Sequence, residues 1–165
     1  MNAPPAAGQE HKRLTQHDVD VICAKHDRLW SARMGGARAV FAFCDLSGLS
    51  VTGRNLCDAD FTGALMVGCD LRRAKLDNAT MYGADMQGSD LTDASLRRAD
   101  IRGADLSGAR GLTQSQVSEA CGDGSTSLPR GLTVRSCGTR VMIQAPRPPA
   151  PPAPPSPRRN FASAD

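Results

Sequence analysis

The chain has 165 residues, of which only 4% are aromatic, too few to build a conventional globular core. A formal net charge of +3 argues against strong electrostatic attraction to nucleic acid or anionic membrane. No apolar run approaches the roughly 20 residues of a membrane-spanning helix. The first residues lack a signal-peptide pattern, so a cytoplasmic protein with no membrane association is expected.

In chain order, residues 1–14 are polar and rich in Ala and Pro, and are expected to be disordered. Thr15-Gln16-His17-Asp18 then resembles a capping-box start, with Asp where Glu is usual. Val19, Ile22, Cys23, His26, Leu29, Trp30 and Arg33 follow at helical spacing, and Gly35-Gly36 ends the run. The spacing predicts an amphipathic helix within residues 15–36, with Leu29 and Trp30 plugging one end of the next segment. The competing reading is a partner-binding helix.

From residue 39 to 108 the pattern changes to a strict period of five. The third residue of each repeat is apolar: Phe41, Leu46, Val51, Leu56, Phe61, Met66, Leu71, Leu76, Met81, Met86, Leu91, Leu96, Ile101 and Leu106. At 40% hydrophobic content, chance yields fourteen such repeats with a probability on the order of 10⁻⁵. Neither a helix face nor an alternating strand has this period. Two positions before the centre sits a small residue, mostly Ala. Two positions after it sits Gly in eight repeats, with Asp58, Asn78 and Asp93 in three more. Those types tolerate the positive φ that a type II turn needs at its third position. Each repeat therefore reads as a short extended segment ending in a corner. Four corners close a square, which stacks residues in columns 20 apart. Only one of the two inward slots can be bulky, so Ala fills the other. Leu49 and Arg54 break that rule, and an irregular first turn is expected, with Arg54 reaching water.

Ala-Asp-Phe-Thr-Gly (59–63), Ala-Asp-Met-Gln-Gly (84–88), Ala-Asp-Ile-Arg-Gly (99–103) and Ala-Asp-Leu-Ser-Gly (104–108) carry a clear resemblance to the pentapeptide-repeat family, whose pattern is A-(D/N)-L-x-x. The resemblance implies a bacterial-type all-β solenoid, a right-handed quadrilateral β-helix. Fourteen repeats make about 3.5 coils. Some members of the family resemble duplex DNA in shape and charge and bind type II topoisomerases such as gyrase.

Thr113-Gln114-Ser115-Gln116 is a second capping box, predicting a short helix to about Cys121 within a C-terminal cap spanning residues 109–145. In residues 146–157 eight of twelve positions are proline, and Arg158-Arg159 follow. The 146–165 tail is expected to be polyproline II or disordered, a solvated spacer or a ligand for a polyproline-recognising groove. Six cysteines show no zinc spacing, and Cys23 with His26 supplies two ligands where a structural site needs four. No metal or cofactor is expected. A Cys121–Cys137 disulfide is conceivable, but reduced thiols are the expectation for a chain without an export signal.

No nucleophile-and-base constellation, zinc motif or phosphate loop appears, so no enzyme is expected. The slot before each centre holds Asp at 45, 60, 70, 85, 90, 100 and 105, read first as an acceptor for a nearby backbone N–H at the bend. The sharper reading is an acidic surface. Asp45, Asp85 and Asp105 share a face without a base, whereas Arg54, Lys75, Arg97 and Arg98 outnumber Asp58 and Asp77 on the opposite one. The leading expectation is a non-catalytic protein-binding or scaffold module. The alternative is a DNA-mimicking topoisomerase partner. Against it, 3.5 coils rise only about 17 Å, and the net charge of −3 on repeat residues 39–108, ten acidic against seven basic side chains, falls far short of the ten or so phosphates of a matching duplex.

Overall fold

The computed structural model describes residues 10–32 and 34–137. The 146–165 tail and the end of the expected C-terminal cap lie outside the described residues. Each repeat places its apolar centre inside: all fourteen, from Phe41 to Leu106, are buried. Ala39, Ala59, Ala64, Cys69, Ala74, Ala79, Ala84, Ser89, Ala94, Ala99 and Ala104 are buried beside them in the small slot. Two residues after every centre the backbone has positive φ, whether the residue is Gly, Asp, Asn, Phe43, Arg73 or Arg98. A carbonyl-to-N–H bond spans each corner, from Cys44–Phe41 (3.0 Å) to Ala109–Leu106 (3.0 Å). These are type II turns, repeated fourteen times.

Parallel bridges join each position to the one 20 residues on, beginning with Val40↔Asp60 and Asp45↔Leu65 and ending with Asp90↔Arg110. The columns pack as the pattern requires, and Phe41 stacks on Phe61 with ring centroids 5.0 Å apart. Leu49 and Arg54 do not distort the first turn: their N–H groups close the same corner bonds, at 2.9 and 3.1 Å. Arg54 is half-buried and ends on a carboxylate rather than in open water, which corrects the expectation.

Residues 10–14 are more ordered than expected, while residues 1–9 of that stretch lie outside the described residues. Strand β1 (Lys12–Arg13) pairs in parallel with strand β2 (Cys44–Asp45), Lys12 opposite Cys44 and Arg13 opposite Asp45. Leu14, buried beneath, anchors the segment, and His11 Nε2 bonds the Gly63 carbonyl at 3.0 Å. Alternation of exposed and buried positions lets this polar stretch extend a ladder it did not advertise.

Helix α1 (Gln16–Trp30) starts at Thr15 with both halves of the capping box present. It lies across the first coil with Val19, Cys23 and His26 buried. Gln16 then substitutes for a strand: its side-chain amide donates to the Ser50 carbonyl (2.8 Å) and accepts from the Ser50 N–H (2.9 Å). Helix α2 (Gln114–Glu119) repeats this design, with Thr113 as N-cap and Gln114 bonding both backbone groups of Thr133 (2.8 and 3.0 Å). After it the ladder offset lengthens to 21 residues at Asp100↔Cys121 and 22 at Asp105↔Ser127. Cys121 and Cys137 form a disulfide, their Cα atoms 5.3 Å apart, where reduced thiols had been expected. The ladder brings them together, because Cys137 N–H bonds the Gly122 carbonyl (3.1 Å). No helix among the described residues is long and apolar enough to cross a membrane.

Candidate binding surfaces

Asp45, Asp85 and Asp105 share one face, in the ladder column Asp45↔Leu65↔Asp85↔Asp105. Each, however, accepts the backbone N–H two residues on: Ser47 (2.9 Å), Gln87 (3.1 Å) and Ser107 (2.9 Å). Asp60, Asp70, Asp90 and Asp100 do the same with Thr62, Arg72, Thr92 and Arg102. The slot is an Asx turn that satisfies a main-chain donor at the bend. The bond from Ser47 N–H is the main cause holding the Asp45 carboxyl below its usual range. Elsewhere Arg72 has the largest such effect on Asp70. On the acidic face β1 changes the balance, because Lys12 and Arg13 join the same sheet and Arg13 pairs with Asp45 at 2.7 Å. The face expected to carry no base carries two.

The opposite face is likewise partly neutralised. Arg54 reaches Asp20 of α1 (2.8 Å), and Arg97 approaches Glu119 of α2 (3.7 Å). These cross-links between rod and helix were missed by reading each segment's charge alone. Burial pushes the Cys23 and Cys69 thiols up to about 11, which leaves them packing groups rather than nucleophiles. Among the described residues no three His, Cys, Asp or Glu side chains gather as metal ligands.

The expected plug is absent from its place. Leu29 is 49% exposed and Trp30 52% exposed. The chain turns back after Trp30, and Ala37 N–H meets the Lys25 carbonyl (3.1 Å) while Ala39 N–H meets His26 Nδ1 (3.1 Å). The returning segment thus runs back along the last turns of α1 and leaves the Leu29 and Trp30 side chains half exposed. Gly36 permits the close approach, since a Cβ there would lie 2.3 Å from the Leu29 nitrogen. Beside this end of α1 lies an open recess of about 310 Å³ lined by His26, Leu29, Trp30, Arg38 and Asp58. His26 accepts through Nδ1, so its ring hydrogen sits on Nε2. That buried nitrogen has no hydrogen-bond partner among the described residues. Trp30 stands edge-on to it, with centroids 6.4 Å apart.

Of the eight large apolar side chains exposed among the described residues, six belong to this end: Val21, Leu29, Trp30, Met34, Val40 and Phe43. The rod itself presents polar bends, and its N-terminal end presents apolar surface.

A model of pentapeptide repeats matches residues 37–73, 55–93 and 74–110. A pentapeptide repeat protein of the Arabidopsis thaliana thylakoid lumen is 30% identical over 55% of this chain and 68% of its own, with a TM-score of 0.49. A second, from Nostoc PCC 7120, is 22% identical over 74% of this chain and 90% of its own, and its TM-score of 0.57 shows the shared fold. QnrB1, a plasmid-mediated fluoroquinolone resistance protein, is 17% identical over 56% of this chain and 57% of its own, with a TM-score of 0.26. Among curated protein sequences there is no match. The chain belongs to the pentapeptide-repeat family, whose fold is the quadrilateral β-helix.

Proposed function

We propose that the chain is a non-catalytic protein-binding module: a rigid rod of about 3.5 coils, closed by α1 and α2, that displays the outer side of α1 to a protein partner. One observation carries this reading. Exposed apolar side chains, Leu29 and Trp30 among them, gather toward the N-terminal end, whereas the bends of the rod spend their Asp carboxylates on their own backbone. A patch of that kind at one end of a rigid element is the usual mark of a protein interface. DNA mimicry has less support, because Lys12 and Arg13 sit on the face that would have to imitate phosphates.

The test is capture of partners by immobilised full-length protein beside its Leu29→Ser variant. Leu29 is half exposed, so the variant should keep its circular dichroism and unfolding midpoint. A partner held by the parent and lost by the variant supports the reading. Identical sets of bound proteins would overturn it.

A further inference from the structure

The recess beside the end of α1 has one apolar aromatic wall, one unpaired donor and a rim of one base and one acid. Leu29 and Trp30 form the wall, His26 Nε2–H is the unpaired donor, and Arg38 and Asp58 stand together on the rim, the Arg38 Nε–H donating to the Asp58 carbonyl. The complementary ligand is apolar, rich in acceptors and poor in donors. A proline run answers that description, since each proline offers a ring and a carbonyl but no N–H. Aromatic-lined grooves recognise such segments in their preformed polyproline II shape.

We propose that this recess is a polyproline-docking groove and that its occupant is residues 146–157 of the same chain. This deepens, and rests on, the reading of the outer side of α1 as the binding surface. The last described residue starts the tail on the correct side. Cys137 is tied to Cys121, which ends the column Val40↔Asp60↔Thr80↔Asp100↔Cys121, and Ala39 at the head of that column bonds His26. The two recesses share one edge of the rod: Asp58 lines the one beside Trp30, and Asn78 and Arg98, the next corners of its column, line the one beside Cys137. Four ladder steps separate Cys121 from Val40, about 19 Å at the usual strand spacing. The nine residues from Cys137 to Pro146 span up to about 30 Å when extended. The tether turns docking into an intramolecular event with an effective concentration in the millimolar range.

Trp30 is the single tryptophan of the chain, so its fluorescence reads this recess directly. The experiment compares iodide quenching of Trp30 in the full chain and in the full chain carrying P149A, P152A and P155A. Docking predicts a quenching constant at least about twofold higher in the triple variant, with red-shifted emission. A synthetic peptide of residues 146–159 added to that variant should reverse both changes. A Leu29→Ser exchange in the variant should weaken the peptide effect several-fold. Equal quenching in the two proteins, together with no response to the peptide, would overturn the proposal. Protection of Trp30 in the parent that grows with protein concentration would assign the groove to a second copy and overturn it as well. Neither result touches the wider reading, which falls only if Leu29→Ser leaves partner capture unchanged.

Discussion

Gly88→Ala isolates what the corners demand of the backbone. Gly88 has φ of 64°, and a Cβ built there meets no atom within 4 Å, so no steric clash contributes. What remains is the left-handed conformation, which costs an L-residue about 1–2 kcal/mol. Replacing Gly also reduces the freedom of the unfolded chain, returning about 0.4–1 kcal/mol. The balance is a loss of about 1 kcal/mol. Arg73 provides the reverse experiment at an equivalent corner: its φ is 57°, its side chain is exposed, and among the described residues it makes no ion pair. Arg73→Gly should therefore gain up to about 1 kcal/mol by the same two terms with opposite sign. Urea unfolding followed by far-ultraviolet circular dichroism would read both as shifts of midpoint at constant slope. A Gly88→Ala protein as stable as the parent, or an Arg73→Gly protein less stable, would refute the claim that corner φ limits the choice of residue.

Ala84→Leu places a bulky side chain in the small inward slot, where Ala84 is buried, and should cost about 1–3 kcal/mol by overpacking; an unchanged urea midpoint would count against the two-slot interior. Reduction of Cys121–Cys137 opens a loop of sequence separation 16 and should lower stability by about 3 kcal/mol on the chain-entropy estimate. Hydrogen exchange should then accelerate in residues 121–137 and not in the central coils. The Asp45, Asp70, Asp90, Asp100 and Asp123 carboxyls are held below their ordinary value of 3.8. Their stabilisation is complete above the unfolded value and is lost as pH falls through the lower folded values, so urea midpoints should decline below about pH 4. Asp70→Asn keeps an acceptor for the Arg72 N–H but removes one titration, and should make that decline shallower; equal acid limbs in the two proteins would contradict the assignment.

The parts of this molecule that repeat were legible because each residue type there answers one local demand. The bulky centre and the corner each appear fourteen times, a small residue fills the slot beside them in twelve repeats, and Asp before the centre meets the backbone N–H two residues on wherever it occurs. Both capping boxes were legible for the same reason, since Thr15 with Asp18 and Thr113 with Gln116 complete their pairs within four residues. The ends were not, because their partners are distant in sequence. Gln16 binds Ser50 and Gln114 binds Thr133, although a shared Thr-Gln dipeptide at each capping box was a signal that the two helices dock alike. The same limit explains α1. Val19, Cys23, His26, Leu29 and Trp30 form one continuous apolar stripe, and periodicity alone assigns the whole stripe to the core. What divides it is the return of the chain, which packs at Gly36, Ala37 and Ala39 along the end of α1 and leaves the Leu29 and Trp30 side chains half exposed. Apolar surface that a pattern assigns to packing thus becomes surface free to bind. The rod carries its recognition chemistry at the point where its repeat stops dictating the sequence.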